Sequence, residues 1–153
     1  VLERRQTYLQ VMREHGLPEC HIHDSQLSQE AGHTGCRELL ERAPDVTAIF
    51  AAADLVAIGA LNGARAHGVS VPDDLSIMGF DNIDTAGFVT PALTTIHVHK
   101  TWMGALGVRQ LVYRAGEPRQ PKVTLAVSTE LVERKSVGPC RLRAGKADAP
   151  DAD

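Results

Sequence analysis

Aromatic residues are scarce in this chain of 153 residues: one Trp, two Tyr and three Phe make up 4% of it. A buried core must therefore be built from Leu, Ile, Val and Ala, and the 43% hydrophobic content is ordinary for a globular protein. No apolar stretch approaches the roughly 20 residues that a membrane-spanning helix requires. No basic and then apolar leader opens the chain, because residues 1–5 have the pattern of a helix start. We therefore expect no membrane partner.

Cysteine is also rare, and Cys20, Cys36 and Cys140 are too widely spaced to form a CxxC pair. Their spacing indicates neither a disulfide framework nor a zinc knuckle, so we expect free thiols in the reducing cytoplasm. The seven histidines include two pairs at i, i+2 spacing, but no carboxylate or cysteine completes a ligand set beside either pair. The sequence therefore predicts no metal site.

Motifs for catalysis and for cofactor binding are absent as well. The chain has no G-x-S-x-G segment, no P-loop and no G-x-G-x-x-G segment. We therefore expect no catalytic residues and no cofactor. The net charge of −3 also argues against a nucleic-acid-binding surface in this segment, since such surfaces are ordinarily basic.

The chain does contain a regular alternation of helical and strand-like segments. Helices are predicted at residues 1–15, 29–42, 54–66 and 100–114, and strands at 20–23, 46–50, 75–78, 93–96, 123–127 and 129–133. The alternation as far as residue 78 is typical of parallel strands joined by right-handed crossovers. The sequence therefore predicts an α/β fold with a parallel sheet, followed by a disordered tail at residues 139–153.

Residues 75–96 are the most informative stretch. The apolar run LSIM ends at Gly79, and Phe80-Asp81-Asn82 follow it. This pattern predicts a buried strand with a loop at its carboxyl end, which is where ligands bind in open α/β sheets. Asp81 is therefore predicted at the mouth of a cleft, where its carboxylate would accept hydrogen bonds from a ligand. The alternative is a turn aspartate that bonds its own backbone.

The segment GFDNIDTAGFVTPALTTIH, at residues 79–97, resembles the effector-binding core of the lactose/galactose repressor family. The patterns R-x-x-T-Y from Arg4 and A-D-x-x-A-x-G from Ala53 support this resemblance, which extends to about residue 138. It implies an incomplete type I periplasmic-binding-protein-like fold, a parallel-sheet sandwich lacking the N-terminal lobe and the DNA-binding domain. Residues 1–97 and 127–138 would form the C-terminal lobe, and residues 98–126 would visit the N-terminal lobe.

The resemblance also assigns four further positions to the effector site. Arg4 matches the family's effector-contacting arginine, although Thr7 replaces the glycine of its pattern, and a guanidinium suits carboxylates and vicinal hydroxyls. Leu27 replaces an aromatic residue of the pocket wall, and Ala53 replaces an asparagine that touches the effector. Phe88 falls near an aromatic residue at the pocket edge. A solvated helix charge is the alternative for Arg4, and core packing is the alternative for Phe88.

Two polar residues next to these positions are predicted to be structural. Asp54 begins a helix and is interpreted as its N-cap. Asn82 is interpreted as a loop residue that satisfies backbone groups. The alternative for Asn82 is a ligand contact shared with Asp81.

The function implied by the resemblance is effector sensing within a transcriptional repressor. A small molecule, either a sugar or nucleobase-like, would bind between the lobes and shift the DNA-binding state of a homodimer. Operator DNA would be bound only through a helix-turn-helix outside this chain. Dimer contacts are expected on the helix at residues 54–67, with Ala57, Ala60, Leu61 and Ala64 on related faces, and around residues 85–88. The alternative for this helix stripe is core packing against the sheet, which must hold for at least half of it. The alternatives are a periplasmic sugar-binding protein of a transport system and an enzyme with a doubly wound fold.

Overall fold

A computed structural model describes residues 2–17, 21–116 and 121–140. Within these ranges the helices are α1 (Leu2–Glu14), α2 (Gln29–Arg42), α3 (Asp54–Ala66) and α4 (Lys100–Gly116). The strands are β1 (Ala48–Phe50), β2 (Ser76–Met78), β3 (Thr95–His97) and β4 (Glu130–Val132), and a 3-10 turn spans Asp84–Gly87. The predicted α/β class and the four predicted helices are confirmed.

The strands form two small sheets that meet at the end of β2. β1 and β2 pair in parallel, with Ile49 opposite Ile77, which confirms the pairing predicted from the alternation. Two isolated parallel bridges, Met78 with Thr94 and Asp81 with His97, connect β2 and the loop after it to β3 and the segment that leads into it. β3 then pairs with β4 in the antiparallel direction. The carboxyl ends of β1 and β2 consequently lie at one edge, beside β3.

The core is aliphatic, as the scarcity of aromatic residues predicts. It joins α2 and α3 to the strands through the buried residues Leu40, Ala57, Ile58, Ala60, Leu61, Ala64, Leu75, Ile77 and Leu93. The α3 stripe Ala57, Ala60, Leu61 and Ala64 is therefore at most 4% exposed. Core packing, the alternative for this stripe, is therefore confirmed, and these four side chains form no dimer face.

Helices α2 and α3 pack with their backbones in contact. A Cβ atom added at Gly32 would lie 2.1 Å from the carbonyl oxygen of Val56, and one at Gly59 would lie 2.0 Å from the carbonyl oxygen of Gln29. Only glycine fits at both positions. The start of α2 is held by Ser28, whose Oγ accepts a hydrogen bond from the Ala31 amide at 3.1 Å.

Two of the predicted strands are not formed. Residues 21–23 have no regular structure, and Cys20, where that strand was predicted to begin, lies outside the described residues. Residues 123–127 are also irregular. The composition of both segments favours a strand, but a strand needs a neighbouring strand that bonds its backbone groups. In the described part of the chain, neither segment has such a neighbour. The predicted tail lies, from residue 141 onward, outside the described residues.

Helix α4 has no buried side chain. Six of its apolar residues are at least 48% exposed, namely Trp102, Met103, Val108, Leu111, Val112 and Tyr113. Residues 123–127 run beside it and enclose an open groove of about 430 Å³, lined by Met103, Leu106 and Leu125 among others. In the described ranges no helix is long and apolar enough to cross a membrane.

Candidate functional site

The loop after β2 is attached to the start of α3 by a buried carboxylate. Asp54 is 0% exposed, and its Oδ2 accepts a hydrogen bond from the Ile83 amide at 2.8 Å. Its Oδ1 accepts a hydrogen bond from Thr95 Oγ1 at 2.5 Å. The prediction that Asp54 is an N-cap is wrong: the cap position is Ala53, so the carboxylate of the next residue points toward β3. A Cβ at Gly79 would lie 2.2 Å from Oδ1, which requires glycine there.

Asp81 lies at the carboxyl end of β2, where the sequence predicts it. Its backbone amide donates to the Ile96 carbonyl at 2.9 Å, and its carbonyl accepts a hydrogen bond from Lys100 Nζ. Its φ of +116° is one that non-glycine residues rarely adopt. The side chain is partly buried, and its carboxylate accepts no hydrogen bond from any residue that the structure describes. These observations do not support the alternative of a self-bonded turn aspartate.

Asn82 also has a positive φ, +50°, and its side chain is fully engaged. Its Oδ1 accepts a hydrogen bond from Arg134 Nη2 at 2.7 Å, and its Nδ2 lies 3.0 Å from His97 Nδ1. Asn82 is therefore structural, as predicted, but it holds side chains rather than backbone groups. Arg134 was not singled out in the sequence, because nothing local relates it to a loop so far away along the chain.

Arg4 reaches the same edge of the sheet from α1. Its Nη1 donates to the carbonyl oxygen of Ala52 at 2.7 Å, just beyond the end of β1. Its guanidinium carbon lies 3.6 Å from the centroid of the Phe80 ring, a cation–π contact. Because Phe80 immediately precedes Asp81, this stacking brings a cation and an anion to one edge. The sequence analysis also did not assign Phe80 to the site. Its position between Gly79, at the end of the strand, and Asp81 could have indicated that it lies at the carboxyl edge of the sheet.

The other predicted site residues, Ala53, Leu27 and Phe88, differ widely in their exposure to solvent. Ala53 is 7% exposed, so it offers little surface to a ligand. Leu27 is 52% exposed in the loop before α2, and Phe88 is 88% exposed after the 3-10 turn. Core packing is therefore excluded for Phe88. Of the predicted site residues, Arg4 and Asp81 both lie at this edge, Arg4 through its contact with Phe80 and Asp81 at the end of β2.

Two histidines border this edge on its β3 side. The rings of His97 and His99 meet edge to face with centroids 4.7 Å apart. His99 Nε2 also lies 3.2 Å from Glu130 Oε1 on β4. Among the residues in the structure, no group of three or more metal-binding side chains converges here or elsewhere. The arrangement instead offers hydrogen-bond donors and acceptors for a polar ligand.

A family model for the periplasmic binding protein-like domain matches residues 2–137. This chain belongs to that family. A repressor-type regulator and a periplasmic sugar-binding protein of a transport system are the two alternatives that share the expected fold. The relatives and structural neighbours distinguish between these two classes.

The sequence relatives of this periplasmic binding protein-like domain are regulators. The HTH-type transcriptional repressor PurR of Edwardsiella ictaluri is 40% identical over 108 residues, which cover 71% of this chain and 32% of that protein. This chain thus spans about a third of the length of that relative. The match supports a lactose/galactose repressor-type domain over a transport protein.

Solved structures agree with this assignment. The transcriptional regulator CelR in complex with cellobiose superposes with a TM-score of 0.83 at 34% identity, covering 88% of this chain and 42% of CelR. A LacI family regulator from Enterococcus faecium with bound ribose superposes with a TM-score of 0.77 at 28% identity, covering 86% of this chain and 49% of that one. The fold expected from the resemblance is therefore confirmed.

Proposed function

We propose that this chain is the effector-sensing part of a transcriptional repressor and that its effector binds over Arg4 and Asp81. The observation that carries the proposal is the Arg4 guanidinium stacked on Phe80, next to a partly buried Asp81 carboxylate that binds no described residue. An unused acceptor and a fixed donor at the carboxyl edge of a parallel sheet form a binding site for a polar small molecule.

A sugar or a nucleobase-like molecule suits this pair of side chains. The carboxylate accepts hydrogen bonds from hydroxyl or N–H groups, while the remaining guanidinium N–H groups donate to ligand oxygens. CelR with cellobiose and the Enterococcus regulator with ribose are neighbours that hold sugars. We therefore propose a hydroxyl-bearing effector and no catalysis on it.

The residue types at Leu27 and Ala53 narrow the chemical class of ligand that we propose. Leu27 provides an apolar wall without a stacking ring, and Ala53 provides no side-chain hydrogen bond. An aromatic platform contributes about 0.5–1.5 kcal/mol beyond its area, and a hydrogen bond contributes about 0.5–1.5 kcal/mol net. We therefore propose a preference for a ligand with a more apolar face than glucose or galactose, such as a deoxy sugar or a glycoside with an apolar aglycone.

The two-lobe arrangement is part of the same proposal. Residues 98–126 would cross into a second lobe, and residues 127–138 would return to the first. The exposed apolar side of α4, where Leu111 is 71% exposed, supports this division, because a second lobe would cover it. Effector binding would shift the relative arrangement of the lobes and hence operator binding by a helix-turn-helix outside this chain. Such a repressor would act in the cytoplasm.

A homodimer completes the proposal, with contacts around residues 85–88. Phe88 is 88% exposed on a turn held by the hydrogen bond from its own amide to the Thr85 carbonyl at 3.0 Å. A large exposed aromatic side chain is typical of an interface anchor. We expect Phe88→Ser to shift the full-length polypeptide toward monomer in sedimentation at micromolar concentration. A strict monomer before substitution would contradict the dimer.

Titration calorimetry on the full-length polypeptide tests the site. Cellobiose and ribose, then a hexose with its deoxy and glycoside relatives, would be titrated into the unsubstituted protein and into Asp81→Ala. We expect Asp81→Ala to weaken sugar binding by about tenfold or more, the equivalent of a hydrogen bond to a charged group. Unchanged affinity in Asp81→Ala would exclude this site. Tighter binding of the plain hexose than of its relatives would exclude the apolar preference.

A further inference from the structure

We propose that Arg134 is a positioning residue that holds the Asp81 carboxylate in its ligand-binding place. This inference rests on the proposed function, since it concerns how the same site is kept in shape. Arg134 follows β4 and lies 52 residues after Asn82 in the sequence. Its guanidinium bonds Leu93 and Asn82.

The loop that carries Asp81 needs restraint from outside. Asp81 and Asn82 have φ values of +116° and +50°, so two consecutive residues with side chains occupy the left-handed half of backbone space. Such conformations persist only where the surrounding structure holds them in place. The direction of the Asp81 carboxylate depends on this backbone, because the side chain leaves from the same Cα atom.

Both backbone groups of Asp81 are hydrogen-bonded. Its amide donates to the Ile96 carbonyl and its carbonyl accepts from Lys100 Nζ, so both contacts come from β3 and the start of α4. Toward α3 the loop is held by Asp54, whose amide donates to the Phe80 carbonyl and whose Oδ2 accepts from the Ile83 amide. The side-chain amide of Asn82 adds a further restraint. That amide is fixed between Arg134 and His97, at 2.7 Å and 3.0 Å.

Arg134 connects this loop to the segment before β3 with two different nitrogens. Nη2 donates to Asn82 Oδ1, while Nη1 donates to the Leu93 carbonyl at 2.7 Å. The Arg134 backbone amide also donates to Thr94 Oγ1 at 2.9 Å, which fixes the base of the side chain. A planar guanidinium can bridge two oxygens in this way, whereas a lysine ammonium acts as a single point of charge.

Loss of the guanidinium would release Asn82 and allow the loop to relax. The Asn82 amide oxygen would lose its donor, and the positive φ values at Asp81 and Asn82 would lose one of the restraints that maintain them. A displacement of about 1 Å at a binding group is enough to weaken its interactions strongly. Arg134 therefore influences the ligand only through Asp81, and this dependence can be measured.

A double-mutant cycle on the full-length polypeptide tests the inference. The variants are Asp81→Ala, Arg134→Met, both together, and Arg134→Lys, with cellobiose and ribose as probes in calorimetry. Arg65→Met is the matched control, because Arg65 Nη2 donates to the Thr90 carbonyl at 2.8 Å, away from this loop. Amide hydrogen exchange at Asp81 and Asn82 is measured in each variant without sugar.

We expect Arg134→Met to weaken sugar binding by about tenfold, the equivalent of one hydrogen bond to a charged group. It should add no further loss in the Asp81→Ala background, because non-additivity marks residues that act through one another. Arg134→Lys should restore part of the affinity, and Arg65→Met should retain it. Exchange at Asp81 should be faster in Arg134→Met than in Arg65→Met.

The outcomes separate this inference from the proposed function. An unchanged affinity in Asp81→Ala would exclude the ligand site itself, while faster Asp81 exchange in Arg134→Met would still support the positioning role. Fully additive losses in the double variant would overturn the positioning role and leave the site standing. If neither sugar binds, the exchange measurement decides: equal rates in Arg134→Met and Arg65→Met would overturn the inference.

Discussion

Cys36 and Asp54 are both buried polar side chains, but they are stabilised in the protein interior in different ways. Cys36 is 2% exposed in the core, and burial raises the pKa of its thiol from 9.0 to about 11. Asp54 is 0% exposed but accepts hydrogen bonds from Ile83 and Thr95. The thiol is stable in the core because it stays neutral, whereas the carboxylate is stable because its hydrogen bonds replace water.

The Cys36 thiol should make stability depend on pH in the alkaline range. In the unfolded chain the thiol loses its proton near pH 9, whereas the folded protein retains it until about pH 11. Its contribution is thus fully present below pH 9 and is lost as the pH rises to 11, up to about 2–3 kcal/mol. Urea unfolding of the full-length polypeptide at pH 8, 9, 10 and 11 would measure this fall against Cys36→Ala. Equal pH slopes in the two proteins would contradict the prediction.

At the scale of elements, the α2–α3 pair is the most closely packed part of the structure. Gly32 and Gly59 bring the two helix backbones into contact. α3 carries both Asp54 and the core stripe, so this packing also fixes the place where the loop after β2 is attached. The contrast with α4, which has no buried side chain, shows that the helices of this chain have different roles.

Substitution in α2 separates helix propensity from packing. Propensity alone would make Gly32→Ala stabilising by about 1 kcal/mol. The added Cβ would lie 2.1 Å from the Val56 carbonyl, so we expect destabilisation by about 1–3 kcal/mol instead. Thr34→Ala, at an exposed position of the same helix, is the control and should change stability by less than about 0.5 kcal/mol. Thermal unfolding of the full-length polypeptide measures both, and a higher melting temperature in Gly32→Ala would refute the packing argument.

At the scale of the whole molecule, this chain leaves apolar surface that it cannot bury itself. Phe50 at the end of β1 is 41% exposed, and the apolar side of α4 is open. In the described residues β1 pairs with β2 alone, so its other edge has backbone groups without a strand neighbour. Such an edge and such a surface favour association with other chains.

We therefore expect residues 1–153 in isolation to be poorly soluble or molten. Without a covering lobe, the exposed apolar surface of α4 would bind the dye ANS, and near-UV circular dichroism would be weak. The full-length polypeptide is the control and should show neither property. A cooperative thermal transition of a monomeric 1–153 chain would contradict this prediction.

Isolated residues 1–153 should also fail to bind DNA specifically. The net charge is −3, and sequence-specific binders ordinarily present a basic surface to the phosphates. A mobility-shift assay of residues 1–153 at physiological salt would test this. Specific retardation by the isolated chain would refute it.

The sequence by itself determined the helices, the β1–β2 pairing and the place of Asp81. These features depend on local signals, such as Ser28 at the start of α2 and Gly79 after β2, which act between residues close together in the chain. A resemblance over residues 79–97 added the family, because many neighbouring positions match together.

Only the tertiary structure decided what the polar side chains bind. Asp54 was predicted to be a helix cap, but its carboxylate accepts a hydrogen bond from Thr95, which lies 41 residues away in the sequence. Arg134 likewise donates a hydrogen bond to Asn82, which lies 52 residues away. Residues 123–127 have the composition of a strand but form none, because no described strand lies beside them. Hydrogen-bond partners so far apart in the sequence depend on how distant segments pack against each other. A local sequence pattern does not contain that information.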